Sequence, residues 1–284
     1  MKVLVTGAGG QLGRDLVAVC AAAGDAVVAA RRAELDVGDP AAVDEVVRTA
    51  MPDVIVNCAA WTAVDACEGD PARAQRDNAE AVAHLRAAAD AVGAHLVQIS
   101  TDYVFSGELD RPYREDDPTG PRSVYGRSKL AGETAAGPGA AIVRTSWVCG
   151  EHGGNMVKTV LRLLDAGAPE LAFVADQRGN PTFTADLAVA VREVAEQRAA
   201  GIFHVTNAAV GADGRPGVSW YEFVAAIVAA AGGDPGIVRP IRSAELQPPR
   251  PAPRPANSVL ATTRWAPLRD FGEPLAELIA RLRA

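Results

Sequence analysis

The sequence predicts an α/β chain: a doubly wound, mostly parallel sheet with a smaller, interwoven second region. Three observations predict it. Short apolar runs rich in Val and Ile alternate with Ala/Val/Leu segments of helical length through the first half, the pattern of successive βαβ units. Those runs are apolar at nearly every position, as strands buried on both faces are. A glycine-rich turn follows the first run at once, where such a sheet places a phosphate-binding loop.

In order, strands are expected at 2–6, 26–30, 53–57, 95–100 and 140–146, with helices at 14–23, 40–50 and 71–91 between them. The second half is less regular. Helices are expected at 156–166 and 220–231, the latter opened by Ser219 as N-cap, with a strand at 201–207 and a closing helix at 271–283. Residues 247–255 read Gln-Pro-Pro-Arg-Pro-Ala-Pro-Arg-Pro, which excludes regular helix and sheet. This run is either a surface connector or a stiff loop held over a site. The expected division is a Rossmann-type dinucleotide-binding region over 1–145, with a return strand near 201–208. Residues 146–200 and 209–284 then form the substrate-binding region.

Composition narrows the function. The 284 residues are 49% hydrophobic and 22% charged, an ordinary globular balance. The net charge of -7 removes the drive for nonspecific nucleic-acid binding. No apolar run approaches the ~20 residues of a membrane span. The chain opens directly on a strand, unlike a secretory signal. Cysteines at 20, 58, 67 and 149, and histidines at 84, 95, 152 and 204, show no metal-ligand spacing. Reduced thiols in a cytoplasm and no catalytic metal are expected.

The turn reads Thr6-Gly7-Ala8-Gly9-Gly10-Gln11-Leu12-Gly13, with glycines at Gly7, Gly10 and Gly13. Glycines there allow a tight turn and close approach of a pyrophosphate to the helix N-terminus. Gln11 and Leu12 belong to the same binding turn. An acid at the end of the second strand would mark NAD. Arg31 and Arg32 stand there instead, which favours the 2′-phosphate of NADPH, with NADH the alternative. Asp36 and Val37 are placed along the adenine edge. Ala59 and Ala60, small residues ending the next strand, leave room for the cofactor.

Tyr125 and Lys129 lie at i and i+4, on one face of a helix. A phenol near its reference pKa of about 10 is a poor acid–base catalyst at neutral pH. An adjacent ammonium favours the phenolate and is expected to lower that value, making the pair a proton relay to a carbonyl oxygen. The alternative is an exposed helical pair. Thr101, at the end of a parallel strand where open α/β sheets bind ligands, offers a hydroxyl to the same carbonyl.

These residues carry a resemblance. The chain resembles the extended short-chain dehydrogenase/reductases and, within them, the dTDP-4-dehydrorhamnose reductase family. The matching segments are 7–13, 57–65, 100–105, 125–129, 144–148, 176–182 and 254–258. They run in order over nearly the whole chain. Those at 100–105 (Ser-Thr-Asp-Tyr-Val-Phe), 144–147 (Arg-Thr-Ser-Trp) and 176–182 (Asp-Gln-Arg-Gly-Asn-Pro-Thr) are the narrow ones. The resemblance implies a catalytic set of Thr101, Tyr125 and Lys129. Hydride passes from NADPH to C4 of a dTDP-4-keto-6-deoxy sugar, Tyr125 supplies the proton and Lys129 holds the nicotinamide ribose. It places Tyr103 and Trp147 against the sugar nucleotide, and Asn155, Lys158 and Arg254 near the diphosphate or nucleotide. Some members bind magnesium between subunits through acidic residues, and Asp15 stands near one such position. A monomer or homodimer is expected. Two alternatives stay open: a 4-ketoreductase for another deoxysugar of secondary metabolism, and a non-catalytic NADP-binding regulatory subunit.

Overall fold

A computed structural model describes all residues 1–284. The first half alternates as the sequence predicts. Strand β1 (Lys2–Thr6) leads into α1 (Gln11–Ala22), β2 (Ala26–Ala30), α2 (Pro40–Ala50) and β3 (Val54–Asn57). Short helices α3 (Val64–Gly69) and α4 (Pro71–Gln75) precede α5 (Ala81–Val92), β4 (His95–Thr101), α6 (Val124–Ala136) and β5 (Ala141–Thr145). Local chemistry sets the helix starts. Asp39 caps α2 through the N–H groups of Ala41 and Ala42, with Pro40 at the first helical position, and Ser123 caps α6 through Gly126.

Helix α1 begins three residues earlier than expected, so Gln11, Leu12 and Gly13 form its first turn. The helix expected at 71–91 is interrupted by a π-helical turn at Arg76–Glu80. That turn lies against α6: a Cβ on Gly132 would stand 2.2 Å from the Asn78 carbonyl oxygen. Such close helix contact is invisible to a period count.

The second half adds β6 (Val148–Cys149), α7 (Met156–Asp165), β7 (Leu171–Val174), β8 (Arg178–Gly179) and β9 (Thr182–Phe183). Then follow α8 (Thr184–Glu196), β10 (Gly201–His204), β11 (Asn207–Ala208), β12 (Val218–Ser219) and α9 (Trp220–Ala230). Strands β13 (Val238–Ile241) and β14 (Leu268–Asp270) and helix α10 (Gly272–Arg283) complete it. The strand expected at 201–207 is therefore divided, because Asn207 leaves β10 to pair with β14. Ser219 caps α9 in a reciprocal box with Glu222.

The central sheet runs β10-β5-β4-β3-β1-β2, every pair parallel. Side chains alternate across it. Val3 and Val5 enter one core with Leu12 and Leu16 of α1 and Leu187 and Val191 of α8. Leu4 enters the other with Val43 and Val47 of α2 and Leu85 of α5. Helix α8 thus belongs to the sheet, although it falls within 146–200, the stretch assigned by sequence to the substrate region. Its apolar stripe pairs with that of α1, a match the order of segments does not reveal. A third core joins α7, α9 and α10 with β7 and β13. No helix is long and apolar enough to cross a membrane.

Candidate active site

The strand order reverses between β2 and β3, on either side of β1, and the crevice outside such a switch point is where open sheets take ligands. Two cavities open there. One, of about 430 Å³, is lined by Gly7, Gly10, Arg31, Arg32, Asp36 and Val37, among others. The second, of about 580 Å³, is lined by Thr101, Tyr103, Tyr125, Lys129, Trp147 and Trp220, among others. They share Gly10, Cys58, Ala59 and Ala60. One continuous cleft therefore runs from the arginines at the end of β2 to the Tyr-Lys helix.

The first cavity suits a dinucleotide. Gly10 stands as N-cap of α1 with no side chain capping the helix, which leaves backbone N–H groups for phosphate oxygens. Gly7, at φ 63°, allows the tight turn, and a Cβ there would meet the Ala59 nitrogen at 2.6 Å. Gly13 lets the helix approach the turn: a Cβ there would stand 2.3 Å from the Gly7 carbonyl oxygen. Arg31 and Arg32 place two guanidinium groups at the rim, and β2 ends in Ala30 with no acid. That donor set fits a 2′-phosphate.

In the second cavity Thr101 ends β4. Its hydroxyl donates to Asp102 Oδ1 at 2.9 Å and accepts from the Tyr103 N–H at 3.2 Å. Tyr125 and Lys129 are 7% and 4% exposed, so the exposed-pair alternative fails. Burial pushes the Tyr125 phenol above its ordinary value, and the neighbouring Thr101 hydroxyl only partly opposes this. The expected lowering by Lys129 does not occur. The Lys129 Nζ instead donates to the Ile99 carbonyl at 2.7 Å, and desolvation outweighs any ammonium effect. Burial also lowers Lys129 to about 8, against the opposing charge of Glu133. The site therefore holds a protonated phenol, which is a proton donor.

The far wall is aromatic. Trp147 adopts a left-handed φ of 45° and stacks on Trp220 at 3.6 Å between ring centroids. Gly179 makes room, since a Cβ there would lie 2.6 Å from the indole. Tyr103 meets Tyr125 edge-on at 5.6 Å. Arg254 belongs to the proline-rich segment and binds Asp65 at 2.5 and 2.8 Å. With Pro255 it lines a small pocket with Tyr103, Trp147 and Trp220, so the segment is a loop held over the cleft. Asn155 and Lys158 are not brought to the cavity. Asn155 caps α7 and donates to Gln11 and Gly150, and Lys158 binds the Glu151 carbonyl. Asp15 faces His152 at 3.9 Å.

The sequence reading missed Asp102 and Trp220 as lining residues. Asp102 sits inside the quoted 100–105 segment, and burial raises it to about 6. Trp220 carried no local signal beyond its neighbouring N-cap, because only the fold stacks it on Trp147.

The RmlD substrate binding domain family matches residues 1–283. The chain belongs to the RmlD family. Among its RmlD-type relatives, a dTDP-4-dehydrorhamnose reductase of Streptomyces griseus is 45% identical, covering 96% of this chain and 91% of that protein. A probable dTDP-4,6-dihydroxy-2-methyloxan-3-one 4-ketoreductase of Streptomyces antibioticus is 43% identical, covering 98% and 94%. A solved dTDP-4-dehydrorhamnose reductase of Bacillus anthracis, in complex with NADP, superposes with a TM-score of 0.90 at 34% identity, covering 99% of this chain and 100% of that one.

Proposed function

We propose that this chain is an NADPH-dependent reductase of the C4 ketone of a dTDP-4-keto-6-deoxy sugar, with dTDP-4-dehydrorhamnose as substrate and dTDP-L-rhamnose as product. The observation that carries this reading is the meeting of the arginine-rimmed cavity and the Thr101/Tyr125/Lys129 cavity at Gly10, Cys58, Ala59 and Ala60. The glycine turn, the α1 N-terminus, Arg31 and Arg32 hold the cofactor, with Asp36, Val37, Ala59 and Ala60 along its edge. Bound there, NADPH supplies a hydride. Thr101 and Tyr125 orient the ketone oxygen through their hydroxyls, and Tyr125 gives that oxygen its proton as C4 becomes a carbinol. Lys129 holds the ribose and balances the phenolate left behind. Tyr103, Trp147 and Arg254 bound the sugar-nucleotide half. A proton donor at the sugar end also speaks against a purely regulatory NADP-binding role, which needs none.

The relative from Streptomyces antibioticus, at 43% identity, supports a second reading: a 4-ketoreductase setting another deoxysugar. The hydride's face of attack separates the two. The test is oxidation of NADPH in the presence of a dTDP-4-keto-6-deoxyhexose, followed by NMR of the product. L-rhamnose stereochemistry at C4 supports the first reading and the epimer the second. No sugar-dependent oxidation with either substrate overturns both.

A further inference from the structure

Behind Lys129 lies a charged cluster that the reaction above does not use. Glu133 follows Lys129 by one helical turn on α6, on the same face. Its carboxylate is almost fully buried and accepts Arg144 Nε at 2.8 Å and Nη2 at 2.6 Å. Ser100 donates to the same carboxylate at 2.5 Å. Arg144 is 2% exposed, its Nη1 has no partner, and its guanidinium lies 5.0 Å over the Phe105 ring. Ser100 and Arg144 face each other across the β4–β5 ladder, and the next pair is Thr101 and Thr145.

A buried ion pair is a poor source of stability, because desolvation offsets most of the attraction. Its position is informative instead. One carboxylate ties the residue before Thr101, the helix bearing Tyr125 and Lys129, and the strand that leads into Trp147. We propose that the Glu133–Arg144 pair is a positioning device for Lys129: by tying α6 to β4 through Ser100 and to β5 through Arg144 it holds the lysine against the Ile99 carbonyl at the end of β4, with a carboxylate one helical turn from the ammonium. The inference rests on the reductase reading. Around Lys129, α6 contributes Tyr125 and Glu133, the loop after β3 contributes Cys58, and β4 contributes the Ile99 carbonyl with Ser100, Thr101 and Asp102 beyond it. Arg144 on β5 acts through Glu133. Among these, Glu133 is the carboxylate whose charge raises Lys129. Without it, the lysine loses its proton at a lower pH.

The test compares full-length wild type, Glu133→Gln, Glu133→Gln/Arg144→Met and Lys129→Met. The double variant removes both buried charges and keeps most of the volume. The readouts are kcat against pH between 6 and 10, near-UV circular dichroism and NADPH affinity by fluorescence. Wild-type turnover is expected to fall as pH rises through about 8, where Lys129 loses its charge. In Glu133→Gln that alkaline limb is expected to move down by about one pH unit, with kcat at pH 8.5 falling roughly ten-fold, and in the double variant it is expected to move in the same direction by less, because the guanidinium charge is removed as well. NADPH affinity should weaken in step with the limb. A limb at the wild-type position in either folded Glu133 variant overturns the proposal, as does loss of folded protein in both, which makes the pair structural. Lys129→Met with wild-type turnover instead overturns the reductase reading itself.

Discussion

In the proposed reaction Tyr125 carries its proton until the ketone is reduced, and burial, with Asp102, Tyr103 and Cys67 nearby, favours the protonated phenol. Tyr125→Phe keeps the ring and its edge contact with Tyr103. Turnover is expected to fall at least ~10²-fold, the loss typical of a removed general acid, with NADPH affinity retained. Steady-state kinetics and fluorescence titration check this, and near-wild-type turnover would rule out the proton-donor role. At the other end of the cleft, Arg31 and Arg32 bring two guanidinium groups to the cavity that would take a 2′-phosphate, that of Arg32 lying 4.0 Å from Asp77. The Arg31→Ala/Arg32→Ala variant is expected to lose most of its preference for NADPH while kcat/KM with NADH changes little. A wild type that favours NADH would refute the assignment.

Between elements, the tightest constraint is the seat of α6 on the π-helical turn. Asn78 donates to Ser128 at 3.0 Å and to the Trp61 carbonyl at 3.1 Å, while its own carbonyl oxygen lies under Gly132. A methyl group at 132 meets backbone, not a flexible side chain. Gly132→Ala is therefore expected to destabilise the protein by about 1–3 kcal/mol, the range for overpacking. It is also expected to lower kcat by tilting Tyr125 and Lys129 away from β4. Thermal unfolding and kinetics measure both effects, and unchanged values for both would show that the helices separate without cost.

Across the whole molecule, Glu115 joins distant parts of the chain. It accepts the N–H groups of His204 on β10 and of Thr263 and Arg264, together with the Thr263 hydroxyl. Burial alone would raise this carboxyl, but those hydrogen bonds outweigh it and hold the group at about 2. A folded value below the unfolded one stabilises the protein above about pH 4.5 and loses that stabilisation as pH falls toward 2. Glu115→Gln is expected to cost up to about 3 kcal/mol at pH 7, with the difference from wild type shrinking at pH 3. Urea unfolding at the two pH values measures it, and an equal difference at both would contradict the linkage.

Local chemistry determined much of this protein before any contact was known. Val and Ile runs buried on both faces predict the parallel strands, Gly7, Gly10 and Gly13 predict the turn, and Tyr125 with Lys129 predicts a shared helix face, because each signal repeats within a few residues. Helix α8 escaped notice, since its apolar stripe has meaning only against α1. The tertiary structure alone stacked Trp220 on Trp147, held the 247–255 loop over the cleft through Asp65 and Arg254, and set Glu133 against Arg144 behind the lysine. It also reversed one electrostatic expectation. A lysine four residues away was expected to lower the phenol, yet both groups are desolvated and the ammonium is turned to the Ile99 carbonyl. Spacing along a helix says which side chains are neighbours; only the packed surroundings determine how much water each has lost, and that loss decides its charge.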